Sequence, residues 1–183
     1  MKILMVRHGE TDYNKNHLVQ GSTNIPLNQE GINQAIKASE KIRDYKIARA
    51  YSSPLDRAYD TCRYMLDNSN NADIEITKDI RVIEKNYGKF EGATYEEWRK
   101  GRENNDLSSV ELDTNVAKRV EEFLKEKYVL HENETILVVC HGACTRIFLE
   151  SKNLRPNKNY IINTSLNELE YNGSEFKLLK YNV

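Results

Sequence analysis

Lys2–Val6 (KILMV) runs straight into Arg7-His8-Gly9-Glu10-Thr11, and Thr135–Cys140 (TILVVC) runs into His141-Gly142. Each apolar run is short, continuous and rich in branched residues, the pattern of a strand buried on both faces. Each ends at a histidine followed by glycine. In open α/β sheets ligands bind in the crevice beyond the carboxyl ends of the strands. Two imidazoles and an arginine delivered to that rim, with glycines that let backbone approach closely, imply a site for an anion.

Working outward, strand patterns alternate with helix-period patterns. Asn28 is placed as the N-cap of a helix that carries Ile32, Ala35, Ile36, Ser39 and Ile42 on one face. A strand is expected at Ala48–Ser52, then a helix with a buried stripe of Leu55, Ala58, Tyr59, Cys62, Met65 and Leu66. A third strand is expected at Ile74–Thr77. Thr94 and Glu97 form a capping-box pattern, and Val116, Val120, Phe123 and Leu124 line a longer helix. After Thr135–Cys140 comes a helix bearing Ile147 and Phe148. Leu166–Tyr171 and Glu175–Tyr181 flank Asn172-Gly173, a hairpin signal. The alternation predicts a three-layer α/β fold: a mainly parallel central sheet, helices on both faces and a C-terminal antiparallel hairpin. The chain of 183 residues shows no repeat or linker, so a single domain over 1–183 is expected.

Composition narrows the partners. Lys plus Arg number 27 against 28 Asp plus Glu, so there is no basic surplus of the kind that marks nucleic-acid binding. Attraction for an anion must come from a local cluster of cations. No apolar run approaches membrane-spanning length. The opening strand leaves no signal-peptide pattern, and three cysteines (Cys62, Cys140, Cys144) do not make a disulfide framework. A cytoplasmic protein is the expectation.

A second cation joins the cluster through Ser53-Pro54-Leu55-Asp56-Arg57-Ala58, which puts Arg57 in the first turn of a helix. Helix N-termini favour negative charge, and the planar guanidinium fork suits phosphate oxygens.

With these motifs in order, the chain resembles the histidine phosphatase superfamily, also called phosphoglycerate-mutase-like. The resemblance covers Arg7-His8-Gly9-Glu10-Thr11, Asn14, Gln20-Gly21, Ser53-Pro54-Leu55 with Arg57-Ala58, Glu84 with Tyr87-Gly88 and Glu91-Gly92, His141-Gly142, and Asn163-Thr164-Ser165. It implies that His8 is a nucleophile that is transiently phosphorylated. Arg7, Arg57 and His141 then grip the phosphoryl oxygens with help from Asn14, and Glu84 is the proton donor. Gln20, Gly21 and Gly142 lie beside the substrate. The resemblance implies a small phosphorylated metabolite as substrate, and it calls for no metal and no cofactor.

Chemistry is consistent with these roles. Phosphoryl transfer through a loose in-line transition state needs positioning and charge stabilisation above all. The nucleophile must be neutral, with one ring nitrogen free and the other N–H fixed by a backbone acceptor. An alkoxide leaving group needs a proton, and the same carboxylate then serves the attacking water.

Blander readings stand beside these. Glu10 and Glu91 are rivals for the acid, Glu10 being expected to bond its own loop and Glu91 to precede a glycine turn. Cys140, His141 and Cys144 lack the paired spacing of a zinc site. His17 and His131 are expected in solvated loops, His17 near the entrance, and Lys37, Lys41, Arg43 and Lys46 form a solvated helix face. Ala143 stands where His-Gly-Gly is commoner. The segment Ala93–Asn115 lacks the long insertion of mutase members, and Val110–Asn115 lacks a Gly-Glu-Ser element. A compact phosphatase is therefore the first expectation, a phosphoglycerate mutase the second, and a non-catalytic phospholigand-binding module the third. Oligomeric state is not legible in the sequence.

Overall fold

The computed structural model describes residues 1–183. Six strands form one mixed sheet in the order β3-β2-β4-β1-β5-β6. They are β1 (Lys2–Arg7), β2 (Ile47–Ser52), β3 (Ile76–Lys78), β4 (Thr135–Cys140), β5 (Leu166–Tyr171) and β6 (Phe176–Lys180). The first four in chain order are parallel, whereas β5 runs antiparallel to β1 and β6 antiparallel to β5. The helices are α1 (Asp12–Lys15), α2 (Gln29–Ala38), α3 (Asp56–Asp67), α4 (Tyr95–Glu103), α5 (Asp113–His131) and α6 (Gly142–Ser151).

The period of two along β1 and β4 divides the core into two layers. Ile3, Met5, Ile136, Val138 and Cys140 pack against Val120, Phe123, Leu124 and Phe148 of α5 and α6. Leu4, Val6, Leu137 and Val139 face the other way, onto Ala38, Ala58, Cys62, Met65 and Leu66 of α2 and α3. Both faces of the central strands are therefore dry, which is why their sequence reads as unbroken hydrophobic runs instead of alternation.

Several boundaries move. The third strand lies at Ile76–Lys78, two residues later than the apolar alternation suggests, because only Ile76 onward pairs with β2. Ser39 and Ile42 fall beyond α2, at a tight turn of 3₁₀ geometry. The loop after β1 holds the unforeseen helix α1, capped by the Thr11 and Asn14 side chains. Asn28 caps α2 through a 2.8 Å bond from the Gly31 N–H, and Thr94 with Glu97 closes the expected capping box on α4.

Register carries the fold to the site. Arg7 of β1 lies opposite Cys140 of β4, so His8 and His141 leave neighbouring strands at the same level. Ser52 of β2 lies opposite Val139, so the turn into α3 emerges beside them. The loop after β1 is wedged against α2: a Cβ on Gly9 would sit 2.4 Å from the Gly31 carbonyl oxygen, and one on Gly31 only 2.0 Å from that of Glu10. Backbone touches backbone there, and only glycine fits. Gly31→Ala is expected to destabilise the protein by about 1–3 kcal/mol through overpacking, read as a lower urea midpoint at unchanged m-value.

Candidate active site

His8 is buried, and its Nδ1 lies 2.6 Å from the Gly9 carbonyl oxygen. A carbonyl can only accept, so Nδ1 carries the proton and Nε2 keeps its lone pair. Burial first, then the charges of Arg57 and Arg7, hold the His8 pKa well below the ordinary histidine value, the Gly9 bond only partly opposing them. His141 lies across from it, ring centroids 5.2 Å apart. It is the N-cap residue of α6, and burial, Arg57, His8 and Arg7 push its pKa down in the same direction.

The two arginines are held by backbone oxygens. Arg7 Nη1 donates to the Ile161 carbonyl at 2.5 Å. The fully buried Arg57 donates from Nη1 to Thr23 O (2.8 Å) and from Nη2 to Gly21 O (2.7 Å). Burial draws the Arg57 pKa down to about 10, Glu84 opposing and Arg7 adding to the effect. Arg7 is likewise lowered by burial and supported by Glu84. After these bonds, Arg7 Nε, Arg57 Nε and both ring nitrogens of His141 remain buried without a hydrogen-bond partner. Buried polar groups are nearly always paired, so such a cluster needs an explanation.

Glu84 stands at the start of α6. Its Oε1 accepts from the N–H groups of Cys144 (2.9 Å) and Lys85 (2.9 Å), and its Oε2 from Ala143 (3.1 Å). Of its rivals, Glu91 is occupied elsewhere. Its two oxygens accept from the backbone of Ser22, Thr23 and Tyr87 and from the Ser22 and Thr23 hydroxyls. Burial alone would raise its pKa, but these bonds outweigh it and hold the carboxyl below the usual range. Glu10 accepts from the Asn28 side chain at 3.0 Å and so braces the cap of α2.

The remaining expected residues stand around this centre. Asn163 Nδ2 donates to His8 O (2.9 Å) and to Asn14 Oδ1 (3.3 Å), which links Asn14 to the His8 backbone. Gln20 is buried and accepts from the Thr11 hydroxyl at 2.9 Å, a bond that shapes the loop. Gly21 adopts φ +56° and presents its carbonyl to Arg57. Gly142 lies against Arg7, where a Cβ would come within 3.3 Å of Nε. Thr164, beside His8, also has positive φ, at 55°. This costs a β-branched residue about 1–3 kcal/mol, and it aims the Thr164 N–H at Arg7 O (2.9 Å).

Two expectations are corrected. His131 is not solvated: it ends α5 buried, between the Tyr51 hydroxyl (2.8 Å) and Glu134 (2.6 Å). Lys41 is more than a solvated helix residue, since its ammonium donates to Thr164 O and Val183 O. His17 is exposed and packs against Tyr95, ring centroids 5.9 Å apart. Cys140 and Cys144 are buried and free, with Cys140 Sγ 3.3 Å from the Thr145 hydroxyl. The roles of Asn163, Glu91 and Thr61 as braces were missed in the sequence, although Asn163 and Glu91 belong to the recognised motifs.

Residues 3–183 match the family pattern of the histidine phosphatase superfamily (branch 1). The chain belongs to that superfamily. Among its relatives is an uncharacterized phosphatase, PhoE, of Bacillus subtilis (strain 168), 29% identical over 99% of this chain and 94% of that protein. A 2,3-bisphosphoglycerate-dependent phosphoglycerate mutase of Staphylococcus aureus is 37% identical over 101 residues, which cover 54% of this chain but only 44% of the mutase. A phosphoserine phosphatase from Entamoeba histolytica, solved with 3-phosphoglyceric acid, superposes with a TM-score of 0.82 at 27% identity, over 100% of this chain and 96% of that one. The superfamily fold thus extends over the whole chain.

Both site imidazoles bind protons more weakly in the folded than in the unfolded chain, where the ordinary value is 6.5. As pH falls below that value the unfolded chain takes up protons that the folded chain refuses. Stability is therefore lost on acidification from about pH 6.5 downward, by up to about 1.4 kcal/mol per pH unit for each histidine. Urea midpoints between pH 7.5 and 5 should show this slope, and His141→Asn should flatten it.

Proposed function

We propose that this chain is a phosphomonoesterase, a single histidine-phosphatase-like domain over 1–183, that works through a phosphohistidine on His8. The observation that carries the reading is the set of buried, partnerless nitrogens of Arg7, Arg57 and His141 gathered around His8. Positive charge with unused N–H donors, beside a neutral imidazole whose Nε2 is free, suits a phosphoryl group flanked by its nucleophile.

His8 Nε2 attacks phosphorus as the ester P–O bond breaks, and the departing alkoxide takes a proton from Glu84. Oε2 accepts a single N–H bond, which leaves it a lone pair for that proton. Water then attacks the phosphohistidine and gives its proton back to Glu84. The N–P bond breaks and inorganic phosphate leaves. Arg7, Arg57 and His141 hold the phosphoryl oxygens throughout, supplying the charge that Mg²⁺ supplies in kinases. Asn14 assists that grip, while Gln20, Gly21 and Gly142 border the substrate.

A small phosphorylated metabolite is the substrate. Support comes from the phosphatase relative that matches nearly end to end and from the phosphoserine phosphatase solved with a three-carbon phosphorylated acid. Arg99 and Lys100 of α4 are exposed and paired along their own helix with Glu103 and Glu96. No helix is long and apolar enough to cross a membrane, and the three cysteines are buried and free, which suits the cytoplasm. The second reading, a phosphoglycerate mutase using the same phosphohistidine, is favoured by the 37% identity to the mutase over its matching part.

p-Nitrophenyl phosphate and a panel beginning with phosphoserine and 3-phosphoglycerate test the proposal. Activity should survive EDTA and fall by on the order of 10³-fold or more in His8→Ala, and brief labelling should trap an acid-labile adduct on His8. Equal turnover by both proteins would end the enzyme reading. Glu84→Gln should slow alkyl phosphates by about 10²- to 10⁴-fold and p-nitrophenyl phosphate far less, since that phenolate needs little protonation. Rapid formation of 2-phosphoglycerate from 3-phosphoglycerate primed with 2,3-bisphosphoglycerate would favour the mutase.

A further inference from the structure

One buried hydroxyl joins the nucleophile's backbone to the helix that carries Arg57. Thr61 lies in the second turn of α3, inside the apolar stripe, fully buried. The Gly9 N–H points at its Oγ1 at 2.9 Å, and Oγ1 lies 2.6 Å from the Arg57 carbonyl oxygen. The direction of both bonds is fixed by chemistry: an amide N–H only donates and a carbonyl only accepts. The hydroxyl proton therefore goes to Arg57 O and its lone pair receives Gly9. The bond to Thr61 is the one hydrogen bond that the buried Gly9 N–H makes.

The peptide it holds is the one that orients His8. On the His8 side the carbonyl is fixed by Asn163 Nδ2 (2.9 Å) and by the Thr164 N–H (3.3 Å). On the Gly9 side the N–H is fixed by Thr61. The next carbonyl along, Gly9 O, receives the His8 Nδ1 proton. We infer that Thr61 is a positioning residue: its hydroxyl clamps the His8–Gly9 peptide so that Gly9 O keeps His8 in the Nδ1–H tautomer, with Nε2 facing phosphorus.

The inference rests on the phosphohistidine reading, in which Nε2 is the nucleophile. Removing the hydroxyl leaves the Gly9 N–H buried and unpaired, a state that the peptide relieves by rotating. Gly9 O then leaves Nδ1, and the proton of the neutral ring is free to move to Nε2, where it abolishes nucleophilicity. The Arg57 carbonyl loses only one of its acceptor roles, so the guanidinium and its loop contacts stay in place. The loss therefore falls on the chemical step and not on phosphate binding.

The test uses Thr61→Val, which keeps shape and removes the hydroxyl, Thr61→Ala as a second hydroxyl-free variant, and Thr61→Ser, which keeps the hydroxyl. With p-nitrophenyl phosphate, kcat should drop roughly 10- to 100-fold in the first two, while KM stays within about twofold and Thr61→Ser recovers most of the rate. ¹⁵N NMR of histidine-labelled resting protein reads the tautomer directly, with His8 assigned by its absence from a His8→Gln spectrum. Wild type and Thr61→Ser should show Nδ1 protonated, and the hydroxyl-free variants should show Nε2–H populated. Thr61→Val and Thr61→Ala that keep both kcat and the Nδ1–H tautomer would overturn the inference, as would a Thr61→Ser as slow as they are. The tautomer is measured without turnover. A wild type that traps no phosphoenzyme thus defeats the parent reading separately, whatever the spectra show.

Discussion

Two guanidinium groups and two imidazoles are brought together out of water at the carboxyl ends of the sheet's parallel strands, and the rest of the site follows from that burden. Moving a cation from water into a protein interior costs several kcal/mol unless charge or hydrogen bonds return it. Arg57 recovers part of this from the carbonyls of Gly21 and Thr23, and Arg7 from Ile161. The histidines avoid the cost by staying neutral, which their depressed pKa values express. Arg7 Nε, Arg57 Nε and both ring nitrogens of His141 still lack a partner. An anion that reaches them meets donors already stripped of water, and no solvent needs to reorganise when charge develops.

Such a centre needs stiff walls, and the chain builds them from segments distant in sequence. Glu91 ties Ser22 and Thr23 to the strip that begins at Glu84. That same loop offers its carbonyls to Arg57, so a carboxylate far from phosphorus helps to hold the arginine. Asn163 and Thr164 fasten the end of β1 from the other side, at the expense of a left-handed threonine. Strain tolerated next to His8 is what is expected where geometry matters more than local stability.

The layers, the sheet and its C-terminal hairpin were legible because strands buried on both faces and helices with one apolar stripe write their periods into the sequence. His8, His141 and Arg57 were legible for a related reason: each lies one or two residues past a recognisable element boundary. What stayed hidden depends on contacts between distant positions. Thr61 drew no reading from the sequence because its partner Gly9 is fifty-two residues away. His131 was expected in a solvated loop because nothing local announces Tyr51, eighty residues upstream. Helix α1, at four residues, is too short to leave a period and depends on the Thr11–Asn14 cap. The third strand shifted because two similar isoleucines, Ile74 and Ile76, compete for one place, and only pairing with Ala50 decides between them.

Glu84 and His141 are coupled through a single helix. His141 is the N-cap residue of α6, and Glu84 accepts the N–H groups of Ala143 and Cys144 in that helix's first turn. A carboxylate in that position also complements the helix dipole, so the attachment is favourable from both ends. Any small displacement of α6 consequently carries the His141 imidazole and the Glu84 carboxyl in the same direction. Meanwhile His8 follows β1, whose ladder to β4 continues through the His8 N–H to Cys140 O. Since α6 follows β4 with only His141 between them, all three groups are referenced to one pair of neighbouring strands. In-line transfer demands that nucleophile, phosphorus and proton donor keep their alignment through two successive steps. In the phosphohistidine mechanism proposed for this chain, a site hung on adjacent strand ends meets that demand.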